Sequence, residues 1–130
     1  MQRYPYTEIV TVLALLIYIW MSFRVGGARV KHQVPAPAMD GPPEFLRAYR
    51  VHMNTLEQLV VFLPALWLFA TGWGDFYAAI LGVIWCIGRV VFAVGYYAAP
   101  EKRSTGFGIT LLSAIVLLLG GLAATIRNML

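Results

Sequence analysis

Four long apolar stretches constrain this chain more than any other feature of its sequence. They cover about residues 6–28, 43–71, 76–99 and 104–126, and each approaches or exceeds the roughly 20 residues that a helix needs to cross a bilayer. Inside lipid, only helices and closed barrels satisfy every backbone hydrogen bond, and these stretches lack the alternation of barrel strands. The pattern predicts an all-α integral membrane protein, a single-domain four-helix bundle.

The composition supports the membrane class. Hydrophobic residues make up 60% of the 130 residues and charged residues 12%, and the mean hydropathy is +0.72. A soluble domain of this size has no core large enough to hide so much apolar surface. The single cysteine, Cys86, excludes an internal disulfide and a cysteine-based metal site, so no metal is predicted. The net charge of +4 is taken first as a topology signal, and no nucleic-acid partner is predicted.

Basic residues are distributed unevenly between the two ends of the predicted bundle. Loops one and three, with the adjoining helix ends, carry seven of them, whereas the other side carries only Arg3 and Arg127. Because lysine and arginine concentrate in cytoplasmic loops, loops one and three are predicted to be cytoplasmic and both termini external. The seven are Arg24, Arg29, Lys31, Arg47, Arg50, Lys102 and Arg103.

The connections between the stretches carry local signals. Residues 23–39 contain several glycines and prolines, which predict an irregular first loop in which Lys31 and His32 are solvated. The sequence GWGD predicts a tight second turn. Pro100 is expected to stop the third helix, and the Ser104–Thr105 pair offers an N-cap for the fourth.

One face of the predicted second helix is polar. At about 100° per residue its members fall within about 80° of one another, while His52 points to the opposite side. Charges that run into an apolar segment need partners or a ligand. The stripe therefore predicts either a binding site or a structural ion pair of Glu57 with Arg50 or Arg89. It consists of Arg47, Arg50, Asn54 and Glu57.

Further polar residues gather at the same predicted end of the bundle. On the third helix Arg89, Phe92 and Tyr96 share one face, and the first helix ends in arginines. Arginines bind carboxylates and Glu57 can bind an amine, so the cluster suits a small polyanionic ligand that also carries an ammonium group. Interfacial arginine and tyrosine are also ordinary membrane-anchoring residues, so the prediction depends on the convergence of four segments.

Two blocks of the sequence resemble the membrane-associated proteins in eicosanoid and glutathione metabolism, the MAPEG family. They are GPPEFLRAYRVHMNTLEQLVVFLPALWLFATGW and GRVVFAVGYYAAPEKRSTGFGITLL. The similarity covers about residues 20–120, and within the family the chain resembles a bacterial-type microsomal glutathione transferase. Its most specific parts are the spacing Arg50-x-x-x-Asn54-x-x-Glu57 and the pair Gly88-Arg89, followed by Gly95-Tyr96 and Arg103.

The resemblance implies a homotrimer that binds glutathione, as a co-substrate, between neighbouring subunits. It also implies a lipophilic electrophile as the second substrate and membrane lipid as the surroundings. Arg103 matches the arginine that stabilises the glutathione thiolate, and Arg29 and His52 are expected to come from the neighbouring subunit. The residues expected to form the rest of the site are Arg50, Asn54, Glu57, Gln58, Arg89, Phe92 and Tyr96.

Several positions depart from the eicosanoid branch of the family. His52 stands where glutamine is usual, Gln58 and Phe92 stand where tyrosines occur, and Val30 replaces an arginine. These departures disfavour leukotriene synthesis in particular. The predicted function is therefore a glutathione transferase of broad, detoxifying type, with or without glutathione peroxidase activity.

Two alternatives belong to other functional classes. The first is a non-catalytic member of the family that binds a lipid or a partner, which the retained Arg103 disfavours. The second is a small proton-coupled transporter that uses Glu57 as its intramembrane carboxylate. The position of Glu57 within an arginine-rich cluster disfavours this alternative, because a transport carboxylate is expected near the middle of the membrane.

Overall fold

The computed structural model describes residues 3–130, and these form four long helices joined by short connections. The helices are α1, Pro5–His32, α2, Pro43–Trp73, α3, Asp75–Ala98, and α4, Ser104–Met129, with a 3-10 turn over Pro100–Arg103. Each is long and apolar enough to cross a membrane. The predicted all-α membrane four-helix bundle is confirmed.

The two middle helices form the centre of the bundle. α4 packs against α2 and α3 on one side, and α1 packs against the same two helices on the other. In the core the rings of Phe62 and Trp85 stack with centroids 4.0 Å apart, and both side chains are fully buried. At Gly106 the backbones of α3 and α4 touch, because a Cβ there would overlap the backbone of Phe92. Small residues allow such close helix packing in membranes.

The far end of the bundle, where α2 turns into α3, uses its polar groups internally. The turn consists of Gly74 alone, whose φ of 109° is readily available only to glycine. The next residue, Asp75, accepts hydrogen bonds from the backbone N–H groups of Tyr6 and Thr7, at 3.0 and 2.7 Å, and from the Thr7 hydroxyl, at 2.7 Å. The first residue of α3 thereby caps the first turn of α1.

The first helix is one turn longer than the sequence predicts. It continues through the two glycines at 26 and 27 to His32, so the irregular loop predicted over 23–39 is wrong and the connection covers 33–42. Lys31 and His32 are not free in solvent, because both bond the Glu44 carboxylate, at 3.2 and 3.0 Å. This contact and the buried cluster of Val25, Phe45 and Ala48 hold the end of α1 against the start of α2.

The predicted N-cap of α4 is also wrong. Ser104 is the first residue of the helix, and no side chain caps it. The cap position falls on Arg103, whose backbone is already helical (φ −75°, ψ −21°), because the 3-10 turn runs directly into α4.

The second helix is longer than a bilayer requires. α2 continues past Pro64 to Trp73, and its 31 residues extend roughly 46 Å, whereas a hydrocarbon core is about 30 Å thick.

Candidate functional site

A cavity of about 830 Å³ opens at the end of the bundle that carries loops one and three. Its walls come from the first half of α2, the last turns of α3 and the beginning of α4. A volume of this size falls within the range of small-molecule sites. Six of the residues that the sequence singles out line it together, namely Arg50, Asn54, Glu57, Phe92, Tyr96 and Arg103.

The α2 wall carries charges that the protein itself does not neutralise. Arg50 and Glu57 are both exposed, and within residues 3–130 neither makes a hydrogen bond or an ion pair. The sequence also allowed a structural ion pair of Glu57 with Arg50 or Arg89, and no such pair forms within residues 3–130. A cation and a carboxylate on one wall are thus available to a ligand.

The opposite wall carries Arg103 beside two aromatic rings. One of its N–H groups donates to the carbonyl of Pro100, at 2.8 Å, and the guanidinium carbon lies 5.9 Å from the centroid of the Tyr96 ring. Tyr96 in turn packs edge-on against Phe92, with centroids 5.6 Å apart. The other N–H groups of Arg103 bind no atom of residues 3–130, so this side chain also offers donors to the cavity.

Arg89 lies beneath the cavity rather than in its lining. Its side chain is fully buried and donates to Asn54 Oδ1 (2.8 Å), Thr55 Oγ1 (3.1 Å) and Thr110 Oγ1 (2.9 Å). Its guanidinium carbon also lies 4.2 Å from the centroid of the Phe92 ring. The guanidinium therefore joins α2, α3 and α4, and its contacts are with the protein.

The contact with Arg89 fixes which way Asn54 faces. A guanidinium has donors only, so the Asn54 atom that faces it is the oxygen and not the amide nitrogen. Asn54 is half-buried and lines the cavity. Its two N–H groups are not used by Arg89, so they remain able to donate to a carboxylate.

Besides Arg89, three of the predicted site residues lie outside this cavity. His52 faces α1, where Nε2 lies 2.9 Å from the Ser22 hydroxyl oxygen and the ring stacks on Tyr18 at 4.6 Å. Arg29 donates to two carbonyls of the first connection, those of residues 34 and 38, at 3.3 and 2.7 Å. Gln58 is half-buried on α2 and does not line the cavity.

Several lining residues of the cavity are not among those predicted from the sequence. Leu46 and Met53 lie four residues before and three residues after Arg50 on α2, and this helical spacing gave a signal for both. Tyr49 has the same spacing to Leu46 and Met53. Met39 reaches the cavity from the first connection, and no local pattern indicates that contact. No group of three or more histidine, cysteine or acidic side chains able to hold a metal occurs in residues 3–130.

Comparisons with known proteins agree with the sequence patterns. The family model for the MAPEG family matches residues 7–123. An uncharacterized protein of Synechocystis sp. is 47% identical over 114 residues, which cover 88% of this chain and 83% of the relative. Microsomal glutathione S-transferase 2 of Mus musculus is 38% identical over 102 residues (78% and 69%), and leukotriene C4 synthase of Cavia porcellus is 34% identical over 94 residues (72% and 63%). The predicted family is confirmed: this chain belongs to the MAPEG family of integral membrane proteins.

Proposed function

We propose that the protein is a glutathione-dependent transferase that acts on lipophilic electrophiles at the membrane. The observation that carries the proposal is the cavity at the end of the bundle with loops one and three. There, Arg50, Asn54 and Glu57 of α2 face Arg103 across a volume of about 830 Å³. The similarity to microsomal glutathione S-transferase 2 supports the same class of activity.

The chemistry of the cavity matches that of glutathione. This tripeptide carries two carboxylates, one ammonium group and a thiol. Arg50 and the Asn54 amide supply donors for a carboxylate, and the unpaired Glu57 supplies an acceptor for the ammonium group. With those ends held on α2, the thiol lies toward the opposite wall, where Arg103 and Tyr96 are.

Arg103 is proposed to activate the thiol. A free thiol has a pKa near 8.5, so only a small part of it is ionised at neutral pH. A guanidinium beside the sulfur favours the thiolate, which is the nucleophilic form. The thiolate electron pair then forms a sulfur–carbon bond with the electrophile, whose leaving group departs or whose strained ring opens. The thiol proton goes to solvent, and no residue of the protein becomes covalently attached.

The electrophile is proposed to arrive from the bilayer while glutathione arrives from the aqueous side. The cavity lining combines the polar groups with apolar ones, including Met53, Phe92 and Phe107. The neighbouring face of α4 exposes large apolar side chains such as Leu112 (66% exposed). A lipophilic substrate can therefore reach the sulfur without leaving apolar surroundings.

The aqueous side from which glutathione arrives is proposed to be the cytoplasm. The uneven distribution of basic residues supports a cytoplasmic position for the end of the bundle that carries loops one and three.

A trimer completes the proposal. Glu57 is exposed on the side of α2 away from the buried face, and it is followed by the exposed Val60 and Val61. A carboxylate beside apolar residues of a membrane helix requires polar surroundings, which a second copy of the chain would supply. In such a trimer Arg29 and His52 would contact glutathione from the neighbouring subunit. Native mass spectrometry in mild detergents should detect trimers, and monomers alone would contradict this assembly.

Two measurements test the function. Calorimetric titration of the purified protein with glutathione should show saturable binding. Reaction with 1-chloro-2,4-dinitrobenzene in detergent should give a protein-dependent increase in conjugate. Binding without conjugation would favour the non-catalytic alternative, whereas absence of binding would contradict the glutathione site. Conjugation with glutathione but no reduction of an organic hydroperoxide would exclude the peroxidase activity.

A further inference from the structure

The buried guanidinium of Arg89 has no part in the chemistry of the proposed function. Arg89 lies within the membrane-spanning part of α3, and the helix ends at Ala98, nine residues and roughly 14 Å further along its axis. The side chain is 0% exposed. An ionised group inside a membrane protein is costly, so a charge at such a position is expected to have a function as well as a place in the packing.

The hydrogen bonds of Arg89 do not neutralise its charge. The oxygen atoms that accept them, at 2.8, 3.1 and 2.9 Å, belong to the uncharged side chains of Asn54, Thr55 and Thr110. No carboxylate pairs with Arg89 within residues 3–130, since the only acidic side chain in an ion pair there is Glu44. Because arginine stays protonated in proteins, a full positive charge remains at this point.

Burial also determines where a counter-charge can lie. Because Arg89 has no exposed surface, neither a ligand nor a second copy of the chain reaches its atoms. Two of its neighbours, Asn54 and Phe92, line the cavity of about 830 Å³. Asn54 bonds the guanidinium directly, and the Phe92 ring centroid lies 4.2 Å from the guanidinium carbon. A single layer of side chains therefore separates this charge from the contents of the cavity.

The charge of Arg89 remains effective through that layer. At an effective dielectric constant of about 20, two unit charges roughly 8 Å apart change an equilibrium by roughly 10–30-fold. Arg50 and Arg103 are exposed, so solvent screens their charges more strongly than it screens a buried one. A buried cation behind the wall can therefore affect a bound anion as much as an exposed cation in the wall.

The charges around the cavity match one ionisation state of glutathione. Arg50, Arg89 and Arg103 supply three positive charges and Glu57 supplies one negative charge, so two positive charges are in excess. Glutathione has one net negative charge while its thiol is protonated and two as the thiolate. Site and ligand together become neutral only when the bound thiol ionises. Without Arg89, they would be neutral with the thiol still protonated.

Other ionisable side chains near the cavity do not alter this balance. Glu101 and Lys102 of the 3-10 turn have opposite charges, are exposed and lie outside the lining. Arg47 of α2 also lies outside it and donates to the carbonyl of Tyr97 at 3.1 Å. α1 contributes no residue to the lining, and among residues 3–130 the lining holds no further acidic or basic side chain.

We propose that Arg89 is the third cation of the glutathione site and stabilises the thiolate through its charge, without touching the ligand. This inference rests on the proposed function and deepens it. The contact residues hold the tripeptide, whereas the buried arginine sets the number of negative charges that the site requires. The hydrogen bonds of Arg89 join the helices and its charge acts on the cavity.

The main test leaves Arg89 in place and gives it an internal counter-charge. Thr110 accepts a hydrogen bond from Arg89 at 2.9 Å, is fully buried and does not line the cavity. Thr110→Asp places a carboxylate beside the guanidinium, and Thr110→Asn is the neutral control of the same shape. The first should raise the pKa of the bound glutathione thiol by about one unit, a tenfold change in ionisation. The second should leave it unchanged.

Arg89→Met and Arg89→Lys test the cation itself. Methionine removes the charge and keeps an unbranched chain, so the thiol pKa should rise as in Thr110→Asp. Lysine keeps the charge without the planar set of donors, so it should retain most of the wild-type effect. The measurement is the thiolate absorbance of the purified full-length protein with glutathione, recorded against pH in mild detergent. Thermal unfolding establishes that each variant is folded.

A second ligand separates ionisation from simple attraction of an anion. S-methylglutathione has the same carboxylates and ammonium group but no thiol to ionise. In calorimetric titrations, Thr110→Asp should therefore weaken glutathione more than it weakens S-methylglutathione. Equal losses for the two ligands would limit Arg89 to attracting anions and overturn its role toward the thiolate.

A wild-type thiol pKa in a folded Thr110→Asp protein would also overturn the proposal. An equal rise in Thr110→Asp and Thr110→Asn would assign the effect to displaced side chains instead of charge. Should Thr110→Asp not fold, an equal rise in Arg89→Met and Arg89→Lys has the same meaning. Wild type that binds glutathione without ionising it contradicts this inference alone, whereas wild type that binds no glutathione contradicts the proposed function as well.

Discussion

The buried Arg89 and the cavity residues Arg50 and Arg103 are close neighbours with opposite surroundings. Arg89 is fully buried, and three oxygen atoms of the protein accept its hydrogen bonds. Arg50 and Arg103 are exposed within the cavity, and Arg103 bonds a single carbonyl of its own turn. The contrast teaches that a charge supplied with internal partners holds the helices together, whereas a charge left without them is available to a ligand.

Asn54 belongs to both regions. Its oxygen accepts a hydrogen bond from Arg89, and its side chain lines the cavity. Because Arg89 orients this amide, the buried cluster affects the cavity without contacting its contents. Substitutions can test whether stability depends on the buried residues and ligand binding on the cavity residues.

The largest effect is expected for Arg89→Ala. The change removes three hydrogen bonds from a charged donor and leaves a void beneath the cavity, so unfolding free energy should fall by about 3–5 kcal/mol. Denaturant unfolding in mild detergent measures the loss. Arg50→Ala is the matched control and should change stability by less than about 0.5 kcal/mol. Equal losses of unfolding free energy in the two variants would contradict the contrast between the buried arginine and the cavity arginine.

Arg103→Ala should separate binding from chemistry. If its guanidinium stabilises the thiolate, the variant should keep most of its glutathione affinity but raise the thiol pKa and slow conjugation about 10²-fold. Thiolate absorbance and turnover as functions of pH measure both effects. Arg103→Lys should recover only part of the rate, because a point charge does not reproduce the planar guanidinium. Lys102→Ala, a change at the neighbouring exposed cation, is the control.

A mutant that retains the wild-type thiol pKa would show that Arg103 is not the activator. Tyr96, whose ring lies beside Arg103 in the cavity, would then be the next residue to substitute. Loss of glutathione affinity equal to the loss of rate would instead assign Arg103 to binding.

Arg50→Ala and Glu57→Ala should each weaken glutathione by about 2 kcal/mol, which is roughly 30-fold, because each removes one charged hydrogen bond. Neither should reduce stability, since neither residue has an internal ion pair in residues 3–130. Calorimetric titration measures the affinity, and Glu101→Ala, at an exposed carboxylate outside the cavity, is the control. Unchanged affinity in a folded Arg50→Ala protein would remove that residue from the site.

The smallest effect is expected at the far end of the bundle. Asp75→Ala removes the acceptor that caps the first turn of α1 and should lower the unfolding free energy by about 1 kcal/mol. Glutathione affinity should stay the same, since this carboxylate is satisfied inside the protein and lies far from the cavity. A change in affinity would show that the two ends of the bundle are coupled.

The sequence predicted the helices because their length and apolar character depend on local composition alone. It failed at the end of α1, where two glycines resemble a break in the helix. The last turns of α1 pack on α2 through Val25, Phe45 and Ala48, and Lys31 and His32 bond Glu44. Contacts of this kind have no local signature in the sequence. The same reason applies to Asp75, whose role as a cap for α1 depends on a residue 68 positions away.

Helical spacing also placed Arg50, Asn54 and Glu57 on one face, and these residues line one cavity wall. Spacing alone did not distinguish Tyr96, which lines the cavity, from Arg89, which lies beneath it. That distinction depends on Thr55 and Thr110, which approach Arg89 from two other helices and supply its acceptors. The sequence of one helix shows which of its faces is polar. Whether a residue of that face is buried depends on the side chains of the neighbouring helices.

Gly106 has a consequence for how the cavity receives its contents. At Gly106 the backbone of α4 touches the backbone of α3. No compressible layer of side chains therefore separates the two helices at this point. Arg103 precedes this contact by one helical turn, so its backbone is anchored while its side chain remains adjustable. Occupying the cavity then orders single side chains, at roughly 0.5–1.5 kcal/mol each, instead of an entire wall. A larger residue at position 106 would turn a preorganised wall into a moving one.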